Sequence, residues 1–104
     1  MLNETFQALS DPTRRAILGL LVDRERSVNE LVDQFDLTQS TVSRHLQVLE
    51  RAHLITRRRD GQRRLCALAT ESLAEVDEWM ETYRRFWSER LDRLDKVVSD
   101  RSRQ

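Results

Sequence analysis

One ten-residue segment carries side chains that could read a nucleic acid. Residues 38–47 have the sequence TQSTVSRHLQ, and helical spacing gathers most of its polar groups on one side. The candidate contacts are Thr38, Gln39, Ser40, Thr41, Ser43, Arg44 and Gln47. In the DNA major groove, Gln pairs with adenine and Arg with guanine through two hydrogen bonds, while small hydroxyl residues permit close approach. The pattern predicts a helix that reads DNA, with an ordinary solvated polar face as the alternative.

A second segment concentrates positive charge. Residues 57–64 have the sequence RRRDGQRR, which contains Arg57, Arg58, Arg59, Arg63 and Arg64. Such a cluster repels itself unless an anion lies against it, and a duplex supplies phosphates or a narrow minor groove that accepts arginine. The alternative is a charged strand edge that prevents aggregation, although five arginines exceed that need. We therefore predict that these arginines contact DNA, and strand alternation implies that not all five face it.

The charge of the chain is segregated, although its formal net charge is zero. Residues 38–69 hold seven arginines against two acids, whereas residues 1–37 hold four arginines against seven acids. Residues 70–100 hold five bases against nine acids. A basic module between two acidic ones indicates that an anionic partner binds the middle of the chain.

Caps and hydrophobic spacing predict the elements that position these segments. A short amphipathic helix precedes Asp11, which caps a second helix with Pro12 at its first position. Ser27 and Glu30 form a capping box that begins a third helix. The predicted buried residues of the second and third helices are Ala16, Ile17, Leu20, Leu21, Val28, Leu31, Val32 and Phe35.

A fourth helix follows the third after a very short connection. Thr38 is its predicted cap, and Val42, Leu46 and Leu49 form its core stripe as far as about His53. This spacing is typical of a helix-turn-helix. Two β-compatible runs then flank Asp60-Gly61, a preferred two-residue hairpin turn, so the arginines fall near a hairpin tip.

The last helix, from a cap at Thr70 to about Val98, has a broad apolar stripe. At roughly 43 Å it must overhang a domain whose radius of gyration is near ~13 Å. The predicted interface residues are Leu2, Phe6, Trp79, Met80, Tyr83, Phe86, Trp87, Leu91 and Leu94. Left uncovered they would form a large apolar patch, which predicts a homodimer that binds an inverted repeat.

Other classes of protein are disfavoured. The sequence has no phosphate-binding glycine loop, no nucleophile with a paired base and only two histidines, so we expect neither an enzyme nor a cofactor. One cysteine excludes an internal disulfide and fits a reducing cytoplasm; we expect Cys66 to be a small buried hydrophobe. No apolar run approaches the length of a membrane span.

Three motifs resemble the ArsR/SmtB family of bacterial winged-helix repressors. They are ALSDPTRRAIL at 8–18, SVNELVDQFDLTQSTVSRHLQVLERAHLI at 27–55 and RRRDGQRRL at 57–65, and the resemblance covers nearly the whole chain. It implies that Gln39, Ser40, Ser43 and Arg44 read the major groove. It also implies an α+β fold, mainly α, in the order α-α-α-α-β-β-α. The single domain would comprise a helix-turn-helix at 27–53, a wing at 54–69 and dimerisation helices at 1–9 and 70–98.

The chain departs from the family pattern in two respects. His53 stands where the family usually has a glycine in the left-handed conformation, so a slight offset of the wing is expected. The metal ligands of the family are absent, because residues 37–40 contain no thiol and the last helix contains neither histidine nor cysteine. We therefore expect no metal. The ending FWSERLDRLD at 86–95 resembles the non-metal, autorepressor-like branch, whose effector or protein antagonist is unidentified.

Two alternatives to a sequence-specific repressor stay open at the level of sequence. A winged-helix module that binds an acidic protein would use the arginine hairpin and bind duplexes weakly. A non-specific DNA-binding protein would need the hairpin but not the reading helix.

Overall fold

The computed structural model describes the backbone of residues 2–102 and the side chains of residues 2–98. Over this range the chain forms five helices and three short strands. In chain order they are α1 (Leu2–Leu9), α2 (Pro12–Leu21), β1 (Arg26–Ser27), α3 (Val28–Gln34), α4 (Gln39–Arg51), β2 (Ile55–Asp60), β3 (Arg63–Leu68) and α5 (Glu71–Ser102). The predicted order of helices and hairpin is confirmed, and β1 is an addition to it.

Each helix of the central part begins at the cap that the sequence predicts. The carboxylate of Asp11 accepts from the backbone N–H groups of Thr13 and Arg14 at 2.8 and 3.1 Å. Ser27 and Glu30 form the reciprocal capping box at the start of α3. The hydroxyl of Thr38 accepts from the N–H of Thr41 at 3.2 Å. These local bonds satisfy backbone donors that a helix leaves unpaired in its first turn.

The core lies between α2, α3, α4 and the hairpin. Its fully buried residues include Ile17, Leu31, Val42, Leu46, Leu49, Leu54 and Cys66. The predicted stripe of α4 is confirmed, and Val32 and Phe35 pack at the edge of the core. The prediction for Ala16 was wrong, because Ala16 is exposed and Leu18 is buried instead. Burying leucine removes more apolar area from water than burying alanine.

The sheet is antiparallel, with the strands in the order β1-β3-β2. Strand β1 consists of two residues, and Arg26 and Ser27 pair with Cys66 and Leu65 on β3. Strand β1 could not be predicted from the sequence, because two residues are too few to show the alternation of a strand and its partner lies about forty positions away. Its pairing covers one edge of β3 and fixes the hairpin to the start of α3.

The hairpin turn lies one residue later than predicted. Asp60 pairs with Arg63 at the end of the ladder, so the turn residues are Gly61 and Gln62 rather than Asp60 and Gly61. Gly61 has a φ of 65°, whereas Gln62 does not have a positive φ. Glycine alone at positive φ in the first central position is typical of a type II′ turn. Strand register, rather than the Asp-Gly dipeptide, therefore sets the turn.

Helix α4 ends in a Schellman motif around His53. The N–H of His53 donates to the carbonyl of Glu50 at 3.0 Å, and the N–H of Leu54 donates to the carbonyl of Leu49 at 3.0 Å. His53 has a φ of 58°, the left-handed conformation that usually falls to glycine. Leu49 and Leu54 are both fully buried, as the motif favours. The expected left-handed site is therefore present, with a histidine in it.

Helix α5 extends well beyond the rest of the fold. The principal extents are 61 × 31 × 21 Å and the radius of gyration is 18.3 Å, against ~13 Å for a compact domain of this length. The buried hydroxyl of Ser72 anchors the start of α5 by donating to the carbonyl of Ala52. Across the described residues, no helix is both long and apolar enough to span a membrane.

We expect His53→Gly to stabilise the fold. A left-handed backbone costs roughly 1–2 kcal/mol at a non-glycine residue, and the flexibility of glycine in the unfolded chain offsets part of the gain. The free energy of unfolding, measured with urea, should rise by about 0.5–1 kcal/mol. His53→Ala is the matched control, because it removes the imidazole but keeps Cβ. An equal gain in both variants would show that the imidazole, not the backbone, carries the cost.

Candidate nucleic-acid interface

Helix α4 has one buried face and one free polar face. Val42, Leu46 and Leu49 are fully buried, and this fixes the rotation of the helix about its axis. On the opposite side Gln39, Ser40, Arg44 and Gln47 are exposed, while Thr41 and Ser43 are half-buried. No acidic side chain lies on this part of α4 before Glu50. The four exposed residues are therefore the ones that α4 presents to a ligand.

Two of the candidate contacts have a structural task at the start of α4. Thr38 Oγ1 accepts from the N–H of Thr41 and donates to Thr41 Oγ1 at 2.9 Å. It also lies 3.2 Å from the hydroxyl oxygen of Ser40. Thr38 and Thr41 thus hold the first turn of the helix in shape, and their hydroxyls are less available to a base than those of Ser40 and Ser43.

The ladder of the hairpin divides the five arginines between two faces. Directly paired residues of antiparallel strands share a face, and neighbours along a strand alternate. Arg57, Arg59 and Arg64 therefore lie on the face of Cys66, because Arg57 pairs with Cys66 and Arg59 pairs with Arg64. Arg58 and Arg63 lie on the opposite face, that of Leu65 and Asp60. This agrees with the expectation that the five arginines do not share one face.

Three of these arginines have acidic partners that the sequence did not reveal. Arg57 pairs with Glu50 at 2.9 Å and Arg58 pairs with Glu25 at 2.6 Å. Arg63 lies 3.5 Å from Glu30, which also binds Arg24 at 2.7 Å. These pairs bind the hairpin to α4, to α3 and, through Glu25, to the residue before β1. The sequence gives no signal for two of them, because 33 positions separate Arg58 from Glu25 and Arg63 from Glu30.

Glu30 and Arg57 have pKa values that their ion pairs shift. The hydrogen bond from Arg24, together with the N–H of Ser27, lowers the pKa of Glu30 to about 2. Glu30 therefore stays ionised down to strongly acidic pH. The hydrogen bond to Glu50 raises the pKa of Arg57. The side chains of Arg24, Glu30, Glu50 and Arg57 are all partly exposed to solvent. Solvent-exposed ion pairs contribute little to the free energy of unfolding, so these contacts orient side chains more than they stabilise the fold.

Arg59 and Arg64 are the two hairpin arginines whose positive charge no described acidic side chain neutralises. They face each other directly across the strands, and neither has an acidic partner among the described side chains. Like charges in this position destabilise a strand pair. An anion between or above them would relieve the repulsion. This pair is therefore the strongest candidate for phosphate or minor-groove contact.

A polar cleft joins the hairpin to the start of α4. Its volume is about 490 Å³, and its lining residues are Ser27, Val28, Asn29, Gln39, Gln62, Arg63 and Arg64. The cleft brings Gln39 of α4 together with Arg64 of the hairpin. It also includes Asn29 and Gln62, polar residues that the sequence analysis did not single out. The two segments identified from sequence thus form one continuous surface.

The other groups considered for chemistry have structural surroundings. Cys66 is fully buried, and burial raises the pKa of its thiol, which disfavours the reactive thiolate. Within the described side chains, no three His, Cys, Asp or Glu residues lie close enough to hold a metal ion. His45, half-buried on α4, accepts a hydrogen bond from Arg14 at 3.3 Å. The buried position expected for Cys66 is confirmed.

Comparisons with known proteins identify the family of this chain. The profile of the helix-turn-helix domain family matches residues 9–58. SdpR, a transcriptional repressor of Bacillus subtilis, is 35% identical over 79 residues, which cover 76% of this chain and 88% of SdpR. A crystal structure of an ArsR family transcriptional regulator is 37% identical with a TM-score of 0.76, over 84% of this chain and 90% of that one. The chain belongs to the ArsR/SmtB family of transcriptional regulators.

Membership of the ArsR/SmtB family confirms the predicted fold and the predicted class of function. The protein is a DNA-binding transcriptional regulator and not an enzyme. The repressor SmtB of Mycobacterium tuberculosis is 40% identical over 73 residues, or 70% of this chain. The chain spans 54% of SmtB, about half the length of that relative.

We expect Arg59→Ala and Arg64→Ala to weaken DNA binding for all sequences alike. Each should reduce the slope of log K against log salt by about 0.9, the share of one phosphate contact. The free energy of unfolding should not fall, because each change removes the repulsion between Arg59 and Arg64. Arg85→Ala is the control, since Arg85 is an exposed arginine of α5 rather than of the hairpin. Fluorescence anisotropy at several salt concentrations measures the slopes, and a slope unchanged by Arg59→Ala would remove that residue from the interface.

Proposed function

We propose that this protein is a homodimeric repressor that binds an inverted-repeat operator. Helix α4 enters the major groove, and Arg59 and Arg64 lie against the backbone or the adjacent minor groove. The observation that carries the proposal is the exposed, acid-free polar face of α4 beside an uncompensated arginine pair. Because the ligand is chromosomal DNA, the protein acts in the bacterial cytoplasm.

Four exposed residues of α4 carry the direct reading. Arg44 pairs with guanine through its guanidinium fork, and Gln39 and Gln47 pair with adenine. Ser40 lies in the first turn, where the helix dipole and unpaired N–H groups favour a phosphate. Thr38 and Thr41 hold this turn, so changes to them act on several base pairs at once, whereas the half-buried Ser43 adds a hydroxyl beside Arg44. Arg57, Arg58 and Arg63 fix the hairpin and add positive charge.

An exposed apolar face on α1 and α5 supports the dimer. Phe6 packs edge-on against Trp79 with ring centroids 5.4 Å apart, and Tyr83 continues the cluster at 5.2 Å. Phe86, Leu91 and Leu94 extend it and are each more than half exposed. The remaining predicted interface residues, Leu2, Met80 and Trp87, are half-buried and border this face. A patch of this size and aromatic content is typical of a protein–protein interface.

A dimer determines the form of the operator. Two copies related by a two-fold axis present two α4 helices, and half-sites lie about 34–36 Å apart, or one turn of DNA. An inverted repeat follows from this symmetry. Repression is the mode of action because a dimer across the operator excludes polymerase, and the relatives SdpR and SmtB are named repressors. No metal effector forms part of the proposal.

We expect Arg44→Ala to relax sequence preference at one base pair. Duplexes selected from a random library at ~150 mM salt should yield an inverted repeat with the unaltered protein. Loss of one bidentate guanine contact should weaken binding to that repeat by about 1–3 kcal/mol and make the contacted position tolerant of other bases. Arg51→Ala, which removes a charge from the exposed end of the same helix, is the control.

The same selection separates the alternatives. A preference that Arg44→Ala leaves intact would contradict the assignment of the reading residues. Binding without an enriched motif that disappears as salt rises would indicate a non-specific DNA-binding protein. No binding at ~150 mM salt would favour a module that recognises an acidic protein.

We expect Phe86→Ala to weaken the dimer. Phe86 is 59% exposed, and the guanidinium of Arg90 lies 4.2 Å from the centroid of its ring. Truncation of an aromatic residue at the centre of an interface should raise the dimer dissociation constant about thirtyfold, which corresponds to ~2 kcal/mol. Sedimentation equilibrium measures this constant. Ser88→Ala, on the opposite side of α5, should leave it unchanged, and equal constants for both variants would place Phe86 outside the interface.

A further inference from the structure

The side chain of Arg14 touches two helices that otherwise stand apart. Its Nε donates to the carbonyl of Ala8 at 2.7 Å and its Nη2 donates to the carbonyl of Gln7 at 3.2 Å, both on α1. Its Nη1 lies 3.3 Å from Nδ1 of His45, on α4. One guanidinium on α2 thus connects the last turn of α1 with the helix that reads DNA.

The chemistry of the two groups fixes the direction of the bond to His45. A guanidinium donates and never accepts, so Nδ1 of His45 must accept. The ring proton of the neutral imidazole is therefore on Nε2. The bond from a permanent cation is stronger than a bond between neutral groups. It also occupies the one acceptor atom of the His45 ring.

A cleft lies between α1 and α4, beside the contacts that Arg14 makes with both helices. The cleft has a volume of about 390 Å³, and its lining residues are Glu4, Gln7, Ala8, Arg14, Val48, Arg51 and Ala52. Close packing would hold two helices together along their length, but a space of this size leaves them without such contact. The Arg14 guanidinium is the polar bridge beside this space. A shift of α1 can therefore pass to α4 through Arg14 as well as through the buried Ala8.

The other side of α1 belongs to the apolar face of α5. Phe6 packs against Trp79, so α1 is attached to α5 as well as to the core, in which Ala8 is buried. A chain of contacts thus runs from Trp79 through Phe6, along α1 to Arg14, and on to His45. Its two ends are the exposed apolar face and the polar reading face.

We propose that Arg14 is a positioning residue that couples the α1–α5 face to the orientation of α4. This inference rests on the proposed function, because it connects the dimer interface with the DNA-reading helix. The core fixes the rotation of α4 about its own axis; when a second copy fixes α1, the guanidinium holds His45 and keeps α4 at the position relative to α1 in which its polar face fits the groove. Arg14 itself touches neither the partner nor the DNA.

A merely structural role makes a different prediction. If the bond between Arg14 and His45 were equally strong in the free and the DNA-bound protein, its loss would lower stability without changing the affinity of the folded protein. A positioning role requires that the loss lowers DNA affinity in protein that remains folded. By linkage, it must also reduce the factor by which DNA strengthens the dimer.

His45 offers a matched pair of variants. In His45→Asn the side-chain oxygen stands at the same number of bonds from Cα as Nδ1 and can accept from Arg14. In His45→Ala the acceptor is lost. Affinity for the selected duplex is measured by fluorescence anisotropy, and folding is followed by circular dichroism at the same temperature. We expect His45→Ala to bind roughly tenfold more weakly and His45→Asn to stay within about twofold of the unaltered protein.

A double-mutant cycle separates this role from a direct contact of His45 with DNA. Arg14→Lys keeps the charge but replaces the fork with a single ammonium, which cannot serve α1 and His45 together. The double variant should bind no more weakly than Arg14→Lys alone. Sedimentation equilibrium with and without the duplex should give a smaller DNA-dependent gain in dimer strength for both single changes. If Arg14→Lys does not fold, the comparison of His45→Ala with His45→Asn decides alone.

The outcomes distinguish the two proposals. Equal affinities of His45→Ala and His45→Asn, or losses that multiply in the double variant, would overturn the coupling while leaving a dimeric repressor intact. Failure of the unaltered protein to select a duplex or to dimerise would overturn the proposed function itself.

Discussion

The whole arrangement depends on one constraint: α4 must bury one face completely and keep the other exposed and free of acidic side chains before Glu50. Val42, Leu46 and Leu49 are each inaccessible to solvent, so the helix cannot rotate without exposing apolar area. The same rotation fixes where Arg44 and Gln47 point. The other helices of the core and the hairpin supply the walls against which this stripe packs. In the proposed function, the reading of DNA is thus a consequence of how the core is filled.

The ends of the helices are held mainly by charged side chains, which gives the many arginines a structural role. Arg15 donates to the carbonyl of Leu9 at the end of α1, and Arg26 donates to the carbonyl of Leu20 near the end of α2. Helix ends leave carbonyls unpaired, and an arginine can satisfy them from a neighbouring element while its charge suits the helix dipole. Rigid helix ends keep the connections short. A short, well-capped connection between α3 and α4 is what holds the helix-turn-helix in a fixed geometry.

Features encoded within a few residues could be predicted from sequence, and features that need distant partners could not. Asp11, Ser27 and Thr38 act as caps because each bonds to the next turn. The left-handed position of His53 was expected only from the resemblance to the ArsR/SmtB family, which usually has a glycine there. In contrast, β1 exists only because Cys66 and Leu65 lie beside it, and the turn at Gly61 follows from the strand register. The acidic partners of Arg58 and Arg63 are equally non-local, so the sequence overstated the free charge of the hairpin.

Pairing three of the five arginines makes the hairpin a more selective contact than a uniformly charged tip. Glu25, Glu30 and Glu50 fix its direction, whereas Arg59 and Arg64 keep a local excess of positive charge. A uniformly charged tip would bind any polyanion with little dependence on geometry. A fixed hairpin with one uncompensated pair instead favours anionic groups at a set distance from α4. In the proposed function α4 reads bases only when it lies in the groove, so this fixed distance would link backbone contact to base contact, and non-specific attraction would align the reading face.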